Sequence, residues 1–203
     1  MSHQYAFFVS LGCGVALILG ASDGRARVAA SIYAAAVSAL LGTSALYHRV
    51  TWRPNARRWM RRLDHSMIFV LIAGTYTPVA LLALKGSLAT TILIVLWAGA
   101  LGGAVFKLLW IDGPKWLFAA VYVALGLVSA AVFGELPATI GWLGVVGLAL
   151  GGLLYVVGAI VYASERPNPW PKVFGYHEIF HALVIAAATL QYAVIAFAVI
   201  PHG

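Results

Sequence analysis

Apolar residues fill most of this chain in long runs, broken only by short polar gaps. A bilayer core of about 30 Å needs roughly 20 apolar residues per helix. Runs near that length, bounded by charge, Gly or Pro, cover residues 5–21, 28–50, 64–84, 88–109, 115–133, 138–163 and 177–200. No polar segment between them is long enough to fold alone. The pattern predicts an all-α membrane protein, a seven-transmembrane helix bundle with residues 1–203 forming a single membrane domain. The first run is the shortest, but Met1-Ser2-His3-Gln4 before it has none of the Lys or Arg of a signal n-region, so it is read as a retained helix.

Composition agrees: 63% of residues are hydrophobic and only 9% charged, against about 25% charged in soluble domains. The net charge of +7 raises nucleic acid as a partner, which we exclude because the cations sit in short gaps between apolar runs. There they set orientation, since Lys and Arg accumulate on the cytoplasmic side. The gaps after the second, fourth and sixth runs hold or border Arg49, Arg53, Arg57, Arg58, Arg61, Arg62, Lys107, Lys115, Arg166 and Lys172, while the opposite gaps hold only Arg25, Arg27 and Lys85. The N-terminus is therefore expected in the cytoplasm and the C-terminus outside. Two Trp among the cations of the Arg-rich loop 49–62 suit an interfacial segment among anionic head groups; the alternative is a topology signal only. Cys13 is the sole cysteine, so any metal must use His and carboxylates. Gly99 with Gly103, and Gly147 with Gly151, are spaced to let helix backbones approach. The proline cluster 167–171 reads as a rigid turn.

Ionisable groups at membrane depth are costly and rare, which makes each a functional candidate. Ser44 and His48 lie four apart at the end of the second run, Asp64 and His65 open the third, and His177, Glu178 and His181 open the seventh. The topology puts all three clusters at the cytoplasmic end. His177 and His181 stack one turn apart and can reach a single ion, with His48 the best third ligand. Zinc takes imidazole nitrogen at about 2.0–2.1 Å, and a catalytic zinc site uses three protein ligands with one open position.

Asp64 has two readings, a salt bridge to Arg61 or Arg62, or a hydrogen bond to water at the metal. Ser44 either donates to a substrate oxygen or supporting water, or bonds back to its own helix. His65 points about 100° away from Asp64 around a helix, so shared ligation is set aside in favour of a supporting or head-group role. His3 and His202, near the termini, read as incidental. In the stretch Thr75-Tyr76-Thr77-Pro78, the proline is expected to release a carbonyl and kink the helix, a matter of packing more than chemistry.

The motifs Ser44-Ala45-Leu46-Tyr47-His48, Leu63-Asp64-His65-Ser66 leading into Ile72-Ala73-Gly74-Thr75-Tyr76-Thr77-Pro78, and His177-Glu178-Ile179-Phe180-His181 resemble, in order and over essentially the whole chain, those of the bacterial hemolysin III proteins. These belong with the progestin and adiponectin receptor family. The resemblance implies seven helices in the bacterial inner membrane and a zinc ion held by His48, His177 and His181. Asp64 would match an aspartate that holds a water at the zinc, and Ser44 the neighbouring serine. Receptors carry Tyr where this chain has His65, so no role passes to His65 by resemblance.

Three functions compete. The leading expectation is a zinc-dependent hydrolase of a lipid amide or ester, ceramidase-like, with Asp64 as base or water-holder and Ser44 stabilising the oxyanion. The second is a pore-forming, cytolytic or non-enzymatic membrane protein in which zinc only ties helices together, although helices three to six carry few polar residues to line a channel. The third is a membrane zinc protease, because His177-Glu178-Ile179-Phe180-His181 fits H-E-x-x-H with Glu178 as base. Against that, Glu178 has an alternative role orienting a ligand or reaching the interface near Arg166 and Lys172.

Overall fold

The structure is a computed structural model that describes residues 2–171 and 173–202; Met1 and Lys172 of the charge pattern lie outside the described residues. Among the described residues, seven helices are long and apolar enough to cross a membrane. They are built on α1 (Ser2–Leu19), α2 (Gly24–Arg49), α3 (Pro54–Pro78), α4 (Gly86–Leu109), α5 (Lys115–Leu127), α6 (Pro137–Ser164) and α7 (Tyr176–Val194), with α3, α5 and α7 continued by tighter or wider turns to Ala83, Val132 and His202. Short connections make successive helices neighbours, and α7 returns to pack against α1 as well as α6.

Local chemistry fixes several helix ends. The Asp23 carboxylate accepts the Ala26 N–H at 2.7 Å and caps α2. Pro54 starts α3 at a position where its missing N–H has no intrahelical partner to lose. Helix α3 therefore begins ten residues before Asp64, and the Arg-rich stretch read as interfacial is mostly the first turns of a continuous helix. Long cationic side chains are tolerated there because the helix end reaches polar surroundings, with Arg62 lying over the Trp59 ring at 4.7 Å.

Helix α3 is the most buried of the seven spans and packs against α2, α4 and α5. Small residues permit this. A Cβ on Gly74 would collide with the Ala36 methyl of α2, so these two backbones meet closely. The spaced glycine pairs of α4 and α6 work differently from expectation. Gly103 receives the Phe69 ring, Gly99 the Leu125 side chain, Gly147 the Val194 side chain and Gly151 the Gln191 side chain, so they are sockets for side chains and not backbone crossings. Gly74→Leu is expected to lower stability by about 1–3 kcal/mol, the usual penalty of overpacking. A thermal melt in detergent checks it, with Gly102→Leu, whose Cβ meets nothing, as the control.

At Pro78 the absent N–H leaves the Gly74 carbonyl without its helical donor. The backbone responds by widening into a π-helical turn over Val79–Ala83. Thr77 nearby donates to the Ala73 carbonyl at 2.8 Å and accepts from Trp97 Nε1 at 3.1 Å, a packing role. Outward-facing Leu109, Leu143 and Phe197 are exposed, as a lipid-facing surface requires.

Candidate metal centre

Four helix ends meet on one side of the bundle: the start of α1, the end of α2, the early turns of α3 and the start of α7. Helix α7 can begin there because the Gly175 N–H donates to Glu178 Oε2 at 2.9 Å, satisfying an otherwise orphaned donor. This capping places His177 in the first turn and His181 one turn on. It also engages Glu178, whose Oε2 is bound to its own helix start.

His48 in the last turn of α2 faces these two histidines. One nitrogen from each of His48, His177 and His181 lies within 4.8 Å of the other two, and His48 Nε2 stands 3.3 Å from His177 Nε2. In a tetrahedral zinc site with bonds of about 2.0–2.1 Å, neighbouring nitrogens are about 3.3 Å apart. The three rings are mutually tilted by 59–73° and are not stacked on one another. The residues present thus fit a small, imidazole-seeking divalent cation such as zinc. Among the described residues they form the one such cluster of three or more potential ligands. His48 is exposed at the rim and His181 is buried, so the triad runs from the bundle end inward.

Behind the triad, Ser44 does not bond back to its own helix. Its hydroxyl lies 2.8 Å from His3 Nδ1 and next to the Asp64 carboxylate. Asp64 is buried, and among the described residues it makes no ion pair with Arg61 or Arg62. Arg61 instead pairs with Asp112 at 3.0 Å and Arg58 approaches the same carboxylate at 3.8 Å, tying the loop after α4 to α3. The salt-bridge reading of Asp64 is therefore corrected: the arginines sit about one turn nearer the helix end, where an exposed partner is available.

His3 corrects the sequence reading further. It is 4% exposed, its ring stacks on His181 with centroids 3.8 Å apart, and it belongs to the site. His202 is exposed in the last helical turn, outside the cluster. His65 lies outside the cluster of potential ligands and packs edge-on to Tyr162 at 6.0 Å, while its backbone carbonyl accepts the Tyr122 hydroxyl at 3.0 Å.

The site opens into a cavity of about 460 Å³ that runs between α3, α5, α6 and α7. His3, Ser44, Asp64, His65, His177 and His181 line its polar end, and the remainder is mainly apolar. Leu127 on α5 and Leu153 on α6 line it and are also more than half exposed, at 58% and 56%, so the cavity reaches the outer surface between these helices. At the polar end, Lys115 bonds Glu165 at 2.7 Å and the Tyr176 hydroxyl at 3.1 Å. Lys107 donates to the Ile111 carbonyl at 3.2 Å.

Comparison with known proteins points one way. A family model described as "Haemolysin-III related" matches residues 1–192. A "Hemolysin-3 homolog" of Bacillus subtilis (strain 168) is 34% identical over 97% of this chain and 91% of its own length. "Hemolysin-3" of Bacillus cereus is 30% identical over 99% of this chain and 90% of its own length. The "Adiponectin receptor protein" of Drosophila melanogaster is 29% identical over 75% of this chain but only 38% of its own length.

Proposed function

This chain belongs to the haemolysin III-related family, within the superfamily that includes the adiponectin receptors, and on that premise we propose that it is a zinc-dependent hydrolase of a lipid amide or ester in the bacterial inner membrane. One observation carries this reading: His177 and His181 of the triad, Asp64 and Ser44 line one cavity whose apolar length opens between α5 and α6 where lipid would lie. An acyl chain entering laterally would put its carbonyl at the polar end. The Arg-rich start of α3 would face anionic head groups, with the N-terminus in the cytoplasm.

His48, His177 and His181 would hold the ion, which when bound supplies a Lewis acid for the carbonyl and makes water more acidic. Asp64 accepts the proton of the attacking water and returns it to the departing amine or alcohol. Water adds across the acyl C–N or C–O bond, giving a carboxylic acid and an amine or alcohol. Ser44, beside Asp64, would donate its hydroxyl hydrogen to the carboxylate and hold it in place.

The relatives' names speak more directly for a second reading, a membrane-disrupting or non-enzymatic protein in which a metal merely ties α2 to α7. The two readings part at the cavity. Gly126 of α5 and Gly152 of α6 both line it, and a Cβ at either meets nothing within 4 Å. Gly152→Phe therefore fills the cavity without a clash at the backbone. Losing burial of two methylenes, at about 0.8 kcal/mol each, already weakens chain binding about tenfold. In proteoliposomes presenting ceramides and related lipid amides and esters, turnover should fall by at least that factor while metal content stays constant. Dye leakage without hydrolysis, unaffected by the plug, would replace the hydrolase reading with the second one.

A further inference from the structure

The proposed chemistry leaves His3 without a role, although it is the most enclosed histidine in the cluster, at 4% exposed against 9% for His181. Its surroundings are specific. Nδ1 lies 2.8 Å from Ser44 Oγ, the ring lies nearly parallel to His181 at 18°, and Nε2 is buried with no hydrogen-bond partner among the described residues. A residue serving only as packing would be apolar, since a buried polar atom without a partner is costly. His3 also lines the cavity, as do Ser44, Asp64 and His181, the three groups it touches or acts through.

The direction of the hydrogen bonds follows from what each group can do. As the base of the proposed reaction Asp64 is an ionised carboxylate that only accepts, so in that state the single Ser44 proton is directed to it. Ser44 Oγ then accepts in its 2.8 Å contact with His3, which assigns the His3 proton to Nδ1. We propose that His3 is a positioning residue of this centre: its Nδ1–H orders Ser44 toward Asp64, and its ring braces His181 from behind. The start of α1 thereby becomes part of a site otherwise built on α2, α3 and α7. The inference rests on the triad binding a metal. His3 itself is not a ligand, because parallel stacking on His181 is unlike the mutually tilted arrangement of the three triad rings.

The test uses the full chain in nanodiscs, as wild type, His3→Ala, His3→Phe and Ser44→Ala, each checked by thermal melting. Elemental analysis gives metal content, chelator competition gives zinc affinity, and ¹⁵N spectra of histidine-labelled protein give the tautomers. Metal stoichiometry should survive in both His3 variants. Zinc affinity should fall about tenfold in His3→Ala, in the range for loss of a supporting partner, and recover in His3→Phe, which restores the stack. One resonance with a protonated Nδ1 should vanish in His3→Phe and shift in Ser44→Ala. Unchanged affinity in His3→Ala, absence of metal from His3→Phe, or a His3 protonated on Nε2 would each overturn the proposal. A wild type without metal would instead remove the metal reading, and the His3 resonance would still report on the bond to Ser44.

Discussion

His181→Ala is expected to leave the protein without its metal. Three imidazoles are few for holding an ion against competition, and the remaining pair, His48 and His177, lies at the more exposed side of the cluster. The affinity loss should exceed about 100-fold, beyond the roughly 10–100-fold that follows from removing a supporting group alone. His48→Ala and His177→Ala should behave alike, whereas His202→Ala, outside the cluster, should retain the full complement. Stability should follow. An ion present at 100 times its dissociation constant adds about 2.7 kcal/mol, so chelation should lower the wild-type melting temperature by about 5–10 °C for a chain of this size. It should do nothing to His181→Ala. Elemental analysis and paired melts with and without chelator decide the matter, and a His181→Ala protein that keeps its metal would dismantle the site.

Legibility in the sequence varies by residue. The seven helices follow from run length alone, because lipid leaves the backbone no alternative but to pair within each helix. The triad is legible for two local reasons: four-residue spacing stacks His177 on His181, and alternation of helix direction brings the end of α2 to their level. The same alternation puts the start of α1 at that level, so His3 carries a usable signal that its position near the terminus obscures. The start of α3 is hidden because charge ordinarily marks the end of a span. Pro54, suited to a first helical turn, is the opposing cue.

Other features have no sequence signal. Whether Asp64 pairs with Arg61 depends on rotation about α3, and Asp112, far off in sequence, takes the arginine. The opening between α5 and α6 is a gap between elements that are apolar on every side, so periodicity does not mark the faces that part. The glycines of α4 and α6 are visible as small residues, but only tertiary packing determines that side chains fill the space they leave.

Asp64→Asn is expected to reduce lipid hydrolysis by about 10²–10⁴-fold, the usual contribution of a positioned base, with metal content unchanged. Asparagine nearly matches aspartate in shape and can still accept from Ser44, but its amide cannot take a proton from water. The substitution thus separates proton transfer from architecture. The informative partner is Glu178→Gln. Glu178 contributes an acceptor to the start of α7, and glutamine supports the same capping arrangement. Glu178→Gln should therefore retain metal, stability and turnover. If Asp64→Asn hydrolyses lipid normally while Glu178→Gln loses cleavage of a membrane peptide, the chemistry belongs to the H-E-x-x-H pattern, and neither Asp64 nor Ser44 has the role proposed for it. If both variants keep every activity of the wild type, the buried carboxylate serves the bundle alone and the metal acts as a tie between α2 and α7. Loss confined to Asp64→Asn is the outcome that a mainly apolar cavity ending at a buried carboxylate, without an ion pair among the described residues, leads us to expect.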